Sequence, residues 1–200
     1  ALGRFNNELH AVFLTRMGLL GVEVSSGKIS FEKYWRARMH SSVNAATPLI
    51  LKNRVFVSAE YGPGAGLLEV SGETLISVWD SNQVMSNHYA TSVHKDGYLY
   101  GFHGRQEFTP SFRAVNLETG QISWSKERFG SGSVTLTKDH LLIAHENGEL
   151  IMVPTTPVEF SIAARAKVLT STVRAFPAVA SGVVYLRNDD TLVALDLRRK

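Results

Sequence analysis

A short apolar strand recurs five times along this chain at a nearly constant interval, and that interval constrains the fold more than any other feature. The strands are HAVFL from His10, RVFVS from Arg54, GYLYG from Gly97, HLLIA from His140 and GVVYL from Gly182. Aligned on Phe13, Val55, Tyr98, Leu141 and Val183, they lie 42, 43, 43 and 42 residues apart. A fixed period of about forty residues means that one supersecondary unit is reused, each copy burying its apolar face against the next.

Each anchor strand is followed by a second alternating one: LLGVEV from Leu19, LLEV from Leu67, FRAVNL from Phe112, GELIMV from Gly148 and TLVALDL from Thr191. Three of these run into Gly-containing corners, SSGKISF, SGETLISVW and ETGQISW, and then a third strand. Ahead of the anchors stand TPLILKNR, TSVHKDG, SVTLTKDH and PAVASG. Four short strands per unit with period-2 alternation predict an all-β fold, a β-propeller of four-stranded antiparallel blades with about four to five blades present. FEKYWRAR, from Phe31, reads equally as a helical turn or a twisted strand. The whole chain is read as one propeller domain, 1–200, with blades at about 1–38, 45–80, 88–127, 131–169 and 174–200. The first of these lacks a convincing innermost strand and the last an outermost one, so both are expected to be partial. Soluble proteins avoid open sheet edges, so missing blades or a second copy of the chain are needed to close the ring.

Composition excludes several functions. There is no cysteine, hence no disulfide, no thiolate metal site and no thiol nucleophile. The 21 Lys+Arg and 18 Asp+Glu leave a net charge of only +3, and the basic residues are scattered apart from Arg198-Arg199-Lys200. Nucleic-acid surfaces concentrate basic residues on one face, so no nucleic acid is expected. The longest apolar stretch, AVFLTRMGLLGVEV from Ala11, is interrupted by Arg16 and is not read as a transmembrane segment.

The sequence of Ser/Thr-Pro, strand, turn, Val/Tyr-rich strand, second strand and then Thr-Gly-x-x-x-Trp resembles the quinoprotein-type, or PQQ-like, β-propeller repeat. LETGQISW is the best match, with Gly120 and Trp124; SSGKISF carries Phe31 in the tryptophan's place, and SGETLISVW reaches Trp79 through a longer strand. NAATPLILKNRVFVSAEYGPGAGLLEV, SNHYATSVHKDGYLYGF, RFGSGSVTL and VVYLRNDDTLVALDL resemble the C-terminal half of bacterial eight-bladed proteins of this kind. That resemblance implies a periplasmic or otherwise exported location, and it admits pyrroloquinoline quinone (PQQ) and calcium as cofactors. Quinoprotein alcohol dehydrogenases hold the quinone beside a vicinal disulfide and a calcium ion, and a cysteine-free chain cannot supply the disulfide. No cofactor is therefore expected from the residues themselves.

Two groups of residues stand out. Phe31, Trp79 and Trp124, with Gly120 in the corner, recur in register in the outer strand, where an aromatic can bury about 150–250 Å² against the neighbouring blade; they are read as structural inter-blade residues. Asn87 and His88 precede an innermost strand, where propeller loops reach the channel mouth. With Asn44 one blade earlier and Ser131 one blade later they are read as a polar ring binding an anion, a small polar ligand or a partner's loop. The bland alternative is that they satisfy backbone groups in tight loops. Tyr61 and GPGAG, residues 62–66, are read as a hairpin insertion at the channel face. The Gly-rich run is not a phosphate loop, because the strand LLEV follows it where a helix would be needed.

His88, His94 and His103 carry no HxxxH or HxH spacing, so no metal site is expected. The turn in His145-Glu146-Asn147-Gly148 is read as type I′. No catalytic residue is picked out. Two readings remain: a non-enzymatic propeller scaffold presenting loops and a channel to a protein or small polar ligand, and, by resemblance alone, a PQQ-dependent dehydrogenase.

Overall fold

The computed structural model describes residues 1–37, 39–40, 42–170 and 172–198. Arg38, Arg199 and Lys200 lie outside these, and with them the last residue of FEKYWRAR, the ends of the first and last predicted blades and most of the basic triplet. The described strands form five antiparallel sheets, each a simple meander. The first comprises β1 (Leu2–Phe5), β2 (Glu8–Leu14), β3 (Gly18–Glu23) and β4 (Ile29–Tyr34). The second comprises β5 (Leu49–Leu51), β6 (Arg54–Ala59), β7 (Gly64–Ser71) and β8 (Thr74–Ser81), and the third β9 (Val93–Lys95), β10 (Tyr98–His103), β11 (Ser111–Asn116) and β12 (Ile122–Lys126). The fourth comprises β13 (Gly132–Leu136), β14 (His140–His145), β15 (Glu149–Pro154) and β16 (Ala164–Lys167), and the fifth β17 (Ala178–Ala180), β18 (Val183–Arg187) and β19 (Leu192–Asp196).

The first blade is therefore four-stranded, against the expectation that it lacked an innermost strand. Gly3 and Arg4 interrupt the apolar pattern of LGRF, so its identity as a strand comes from pairing with β2. Asn6 and Asn7, at φ 51° and 67°, supply the two left-handed residues that a type I′ turn demands. Asp96-Gly97 and Ser181-Gly182 take positive φ at the equivalent turns of two later blades. FEKYWRAR resolves as strand through Tyr34.

Two turn readings are corrected. Gly64, Ala65 and Gly66 are not an insertion but the first residues of β7, pairing with Ala59, Ser58 and Val57. The glycines are there because neighbours come close: a Cβ on Gly64 would meet Ser81 O at 2.3 Å, and one on Gly66 the Trp35 ring at 2.7 Å. In the His145–Glu149 hairpin only Gly148 has positive φ, at 95°, and its N–H donates to His145 O at 2.9 Å. This is a three-residue loop with one left-handed glycine, not a type I′ pair, because Glu149 N–H is taken by Asn147 Oδ1 at 2.9 Å and holds Asn147 in an ordinary conformation.

The core lies between blades. Because side chains alternate across a strand, Val55 and Val57 of β6 pack on Val12, Leu19 and Phe31 of the first blade, while Phe56 packs with Leu99 and Val115 of the third. Tyr100 and Phe102 of β10 pack with Leu141 and Ile143, and Leu142 and Ala144 turn to Val184 and Leu186 of the fifth. Each such side chain contributes roughly 1.5–3 kcal/mol by leaving water. A strict meander also sorts the loops. The turns after each first and third strand lie at one end, here the lower face; the loops after each second strand and the connectors between blades lie at the upper face.

Candidate functional site

Phe31, Trp79 and Trp124 occupy one structural position. Each is on the outer strand at a register shift: Phe31 pairs with Gly21, Trp79 with Leu67 and Trp124 with Ala114, and in each case the next residue pair skips one outer-strand position. A bulge bends a strand and re-aims a side chain. Here it accompanies aromatics that reach the following blade. Trp79 Nε1 donates to Leu117 O at 2.8 Å and Trp124 Nε1 to Thr156 O at 2.8 Å, both in the next blade's lower loop. Gly120, at φ 70°, lies under Trp79, where a Cβ would come within 2.9 Å of the ring. The ladder between β15 and β16 has neither the shift nor the aromatic. Trp35, which the sequence did not single out, adds a contact of the same kind through Nε1 to Gly64 O at 3.2 Å.

On the upper face the predicted residues separate. Asn87 is 1% exposed. Its N–H donates to Ser58 Oγ at 2.8 Å, its Nδ2 to Phe102 O at 2.8 Å, and its Oδ1 accepts from Ser92 Oγ at 3.1 Å. Asn44 Nδ2 donates to Thr15 O and Trp35 O, both at 2.8 Å. Of the expected ring of Asn44, Asn87, His88 and Ser131, the Asn44 and Asn87 amides are taken by backbone carbonyls, while His88 and Ser131 line one crevice. Connectors that leave a ladder carry carbonyls needing donors, and the two amides meet that need.

What does come together is a cluster from the loops of the second to fourth blades. Tyr61 Oη and His88 Nε2 lie 2.9 Å apart, with their rings edge to face at 5.4 Å. The Arg105 guanidinium sits 4.7 Å from the Tyr61 ring centroid and 5.1 Å from that of Phe108, within cation–π range, and pairs with Glu107 at 3.0 Å. Burial pushes the His88 imidazole below the usual histidine value, opposed by Glu107 and reinforced by Arg105. Burial also raises the Glu60 carboxyl, which Arg105 partly offsets. A narrow crevice runs beside His88, with about 10 Å³ open to a water-sized sphere; Tyr89, Gln106 and Ser131 supply its other polar walls, and Phe102 and Pro110 apolar ones. Burial raises the Tyr89 phenol, with Glu146 adding to it and Arg174 and a hydrogen bond with the Ser131 hydroxyl opposing it.

Tyr89, Arg105 and Gln106 were missed by sequence reading. One signal was present: the third blade's upper loop, Gly104–Pro110, is longer than its fourth-blade counterpart, Glu146–Gly148, and carries opposite charges in GRQEF.

Among the described residues no group of three or more His, Cys, Asp or Glu could hold a metal ion, and calcium asks for six to eight oxygen ligands. Two arginines of the upper face, Arg105 and Arg174, are taken by Glu107 and Glu146. These residues do not fit a quinone–calcium pair, and no chemistry is routed through one.

A family model described as outer membrane protein assembly factor BamB matches residues 110–199. No curated protein matches in sequence. Among solved structures, the computationally designed Ika8 protein superposes with a TM-score of 0.65 at 15% identity over 96% of this chain, which spans 56% of Ika8's length. The designed Ika4 protein gives a TM-score of 0.58 at 16% identity, over 81% of this chain and 96% of its own. BamB from Moraxella catarrhalis gives 0.52 at 15% identity, over 92% of this chain and 68% of its own. The chain is a β-propeller array that resembles the PQQ-like repeat family, in sequence over residues 110–199 and in fold over most of its length.

Proposed function

We propose that this chain is a non-enzymatic binding module of the PQQ-like repeat type, exported to the periplasm, whose upper loops and channel mouth receive a protein or a small polar ligand. The observation that carries this reading is the convergence of Tyr61, His88, Tyr89, Arg105 and Ser131 from four loops onto one face of a rigid array. Rigid scaffolds commonly place binding groups on such loops. The BamB description of the matching family supports a scaffolding role and an envelope location. A second copy covers the outward faces of the first and fifth sheets, where Phe13 and Tyr185 are exposed, unless further blades do so; light scattering tests the second copy directly, and a monomer would sink it.

The test is a thermal-shift panel of capped peptides, sugars and PQQ with calcium. A ligand at a hundred times its Kd stabilises by about 2.7 kcal/mol. The expected hit loses that stabilisation in His88→Ala and keeps it in Lys138→Ala, on the lower face. Saturable PQQ and calcium binding with dye-linked alcohol oxidation would overturn the reading in favour of a dehydrogenase.

A further inference from the structure

The first strands of the second, third and fourth blades, β5, β9 and β13, stand side by side at the centre of the array and form one wall of its channel. An open groove of about 460 Å³ runs along that wall, lined by Leu49, Leu51, Val93, Val134, Leu136 and Phe176, the last of them 49% exposed. Its two hydroxyls are already used: Thr91 Oγ1 accepts from Thr47 N–H at 2.9 Å, and Ser92 Oγ donates to Asn87 Oδ1 at 3.1 Å. At Leu51 and His94 the groove meets a second cavity, of about 670 Å³, which opens on the lower face beside Lys52. We propose that the two cavities together hold a free single-chain fatty acid, its tail along the channel wall and its carboxylate at Lys52. This site is separate from the upper-face loops.

Lining and charge choose that ligand. Covering apolar surface is favourable in proportion to its area, and clefts of roughly 300–1,000 Å³ are the usual size of small-molecule sites. Neighbouring blades do not fill this one. They pack side to side on the outward faces of the end sheets, whereas innermost strands face the channel whichever blades follow. With its hydroxyls taken, the groove suits an alkyl chain, and a sugar would leave its own hydroxyls without partners there. The lower end sets the sign of the head group. Arg54 is held between Glu69 and Glu118. Burial lowers the His94 imidazole, against Asp96 and Glu118, and keeps it neutral at ordinary pH. Lys52 has no acidic partner among the described residues and is the uncompensated charge lining the cavity. A carboxylate beside it gains a charge-assisted hydrogen bond, which a neutral or cationic head group does not.

The test is NMR of the whole chain with labelled Ile, Leu and Val methyl groups, titrated below the micelle concentration with laurate, octanoate, dodecyl maltoside and dodecyltrimethylammonium. Laurate should shift the Leu51, Val93 and Leu136 methyls saturably and bind more tightly than octanoate, by up to about four-fold for each methylene that leaves water. Lys52→Gln should raise the laurate midpoint about two- to five-fold, the worth of an exposed ion pair, and leave that of dodecyl maltoside unchanged. Phe176→Ser, at a half-exposed position, should weaken both. Equal midpoints for laurate and octanoate overturn the proposal, as do tighter binding of the cationic amphiphile, a laurate midpoint indifferent to Lys52→Gln, and no response at all. Shifts confined to the outward face of the first sheet, where Leu20 pairs with Phe13, mean non-specific adsorption and overturn it as well.

Discussion

The middle blades and the end blades are built from the same strand but wear it differently. In β6, β10 and β14 nearly every side chain is buried, whereas in β2 and β18 buried residues alternate with open ones. Phe112, in the third blade, is fully buried and meets the rings of Phe102, Trp124, Phe129 and Phe160, while Phe13 of β2 is 50% exposed. The lesson is that a blade's second strand is apolar on both sides because it serves two interfaces, and the identity of the strand alone does not say whether both are filled.

Substitutions can break or sharpen that contrast. The largest effect is expected for Phe112→Ala, which should cost about 3–5 kcal/mol in urea unfolding through loss of burial and the cavity left behind. Phe13→Ala, measured on the chain by itself at a concentration where no second copy covers the outward face of the first blade, should stay within about 0.5 kcal/mol, as surface changes do. Equal losses would mean that the end blades are as tightly enclosed as the middle ones.

A smaller effect separates two equivalent corner glycines. Gly120 and Gly27 both have positive φ, at 70° and 75°, but a Cβ on Gly120 would meet Trp79 at 2.9 Å and one on Gly27 would meet nothing within 4 Å. Both alanine variants carry the backbone cost, about 1 kcal/mol. Gly120→Ala should cost about 1–2 kcal/mol more, because the indole must shift off Leu117 O. The two melting temperatures measure the difference.

A further effect appears only with pH. Burial lowers the His103 imidazole to about 4, with Arg113 contributing in the same direction, and its Nδ1 accepts a hydrogen bond from Ser86 N–H at 3.0 Å. The neutral ring is therefore the folded form, while the unfolded chain protonates near the ordinary value of 6.5. Stability should be fully present above that value and fall as pH drops from 6.5 towards about 4. His103→Asn, which keeps an acceptor near Ser86, should flatten the fall, leaving what His88 and His94 contribute; an unchanged slope would show that His103 is not held neutral.

The blade count, the meander and the aromatic position of the outer strand were legible because each depends on residues close in sequence. Alternation sets which side chains share a face, and a fixed period sets how faces stack. LGRF was missed as a strand because two of its four residues contradict the pattern and only its pairing with β2 makes it one. His88 and Ser131 line the upper-face crevice, whereas the Asn44 and Asn87 amides serve backbone carbonyls. Loop polarity in sequence does not distinguish a side chain aimed at solvent from one closing its own turn.

Sequence by itself determined that this chain is an array of blades with tryptophans or phenylalanine at three of the outer corners, since local spacing and burial leave little choice. Tertiary structure alone decided where a ligand could be met. Tyr61 and His88 are 27 residues apart and belong to different loops; Arg105 and Ser131 come from two more. Only the folding of consecutive meanders side by side brings their upper loops together.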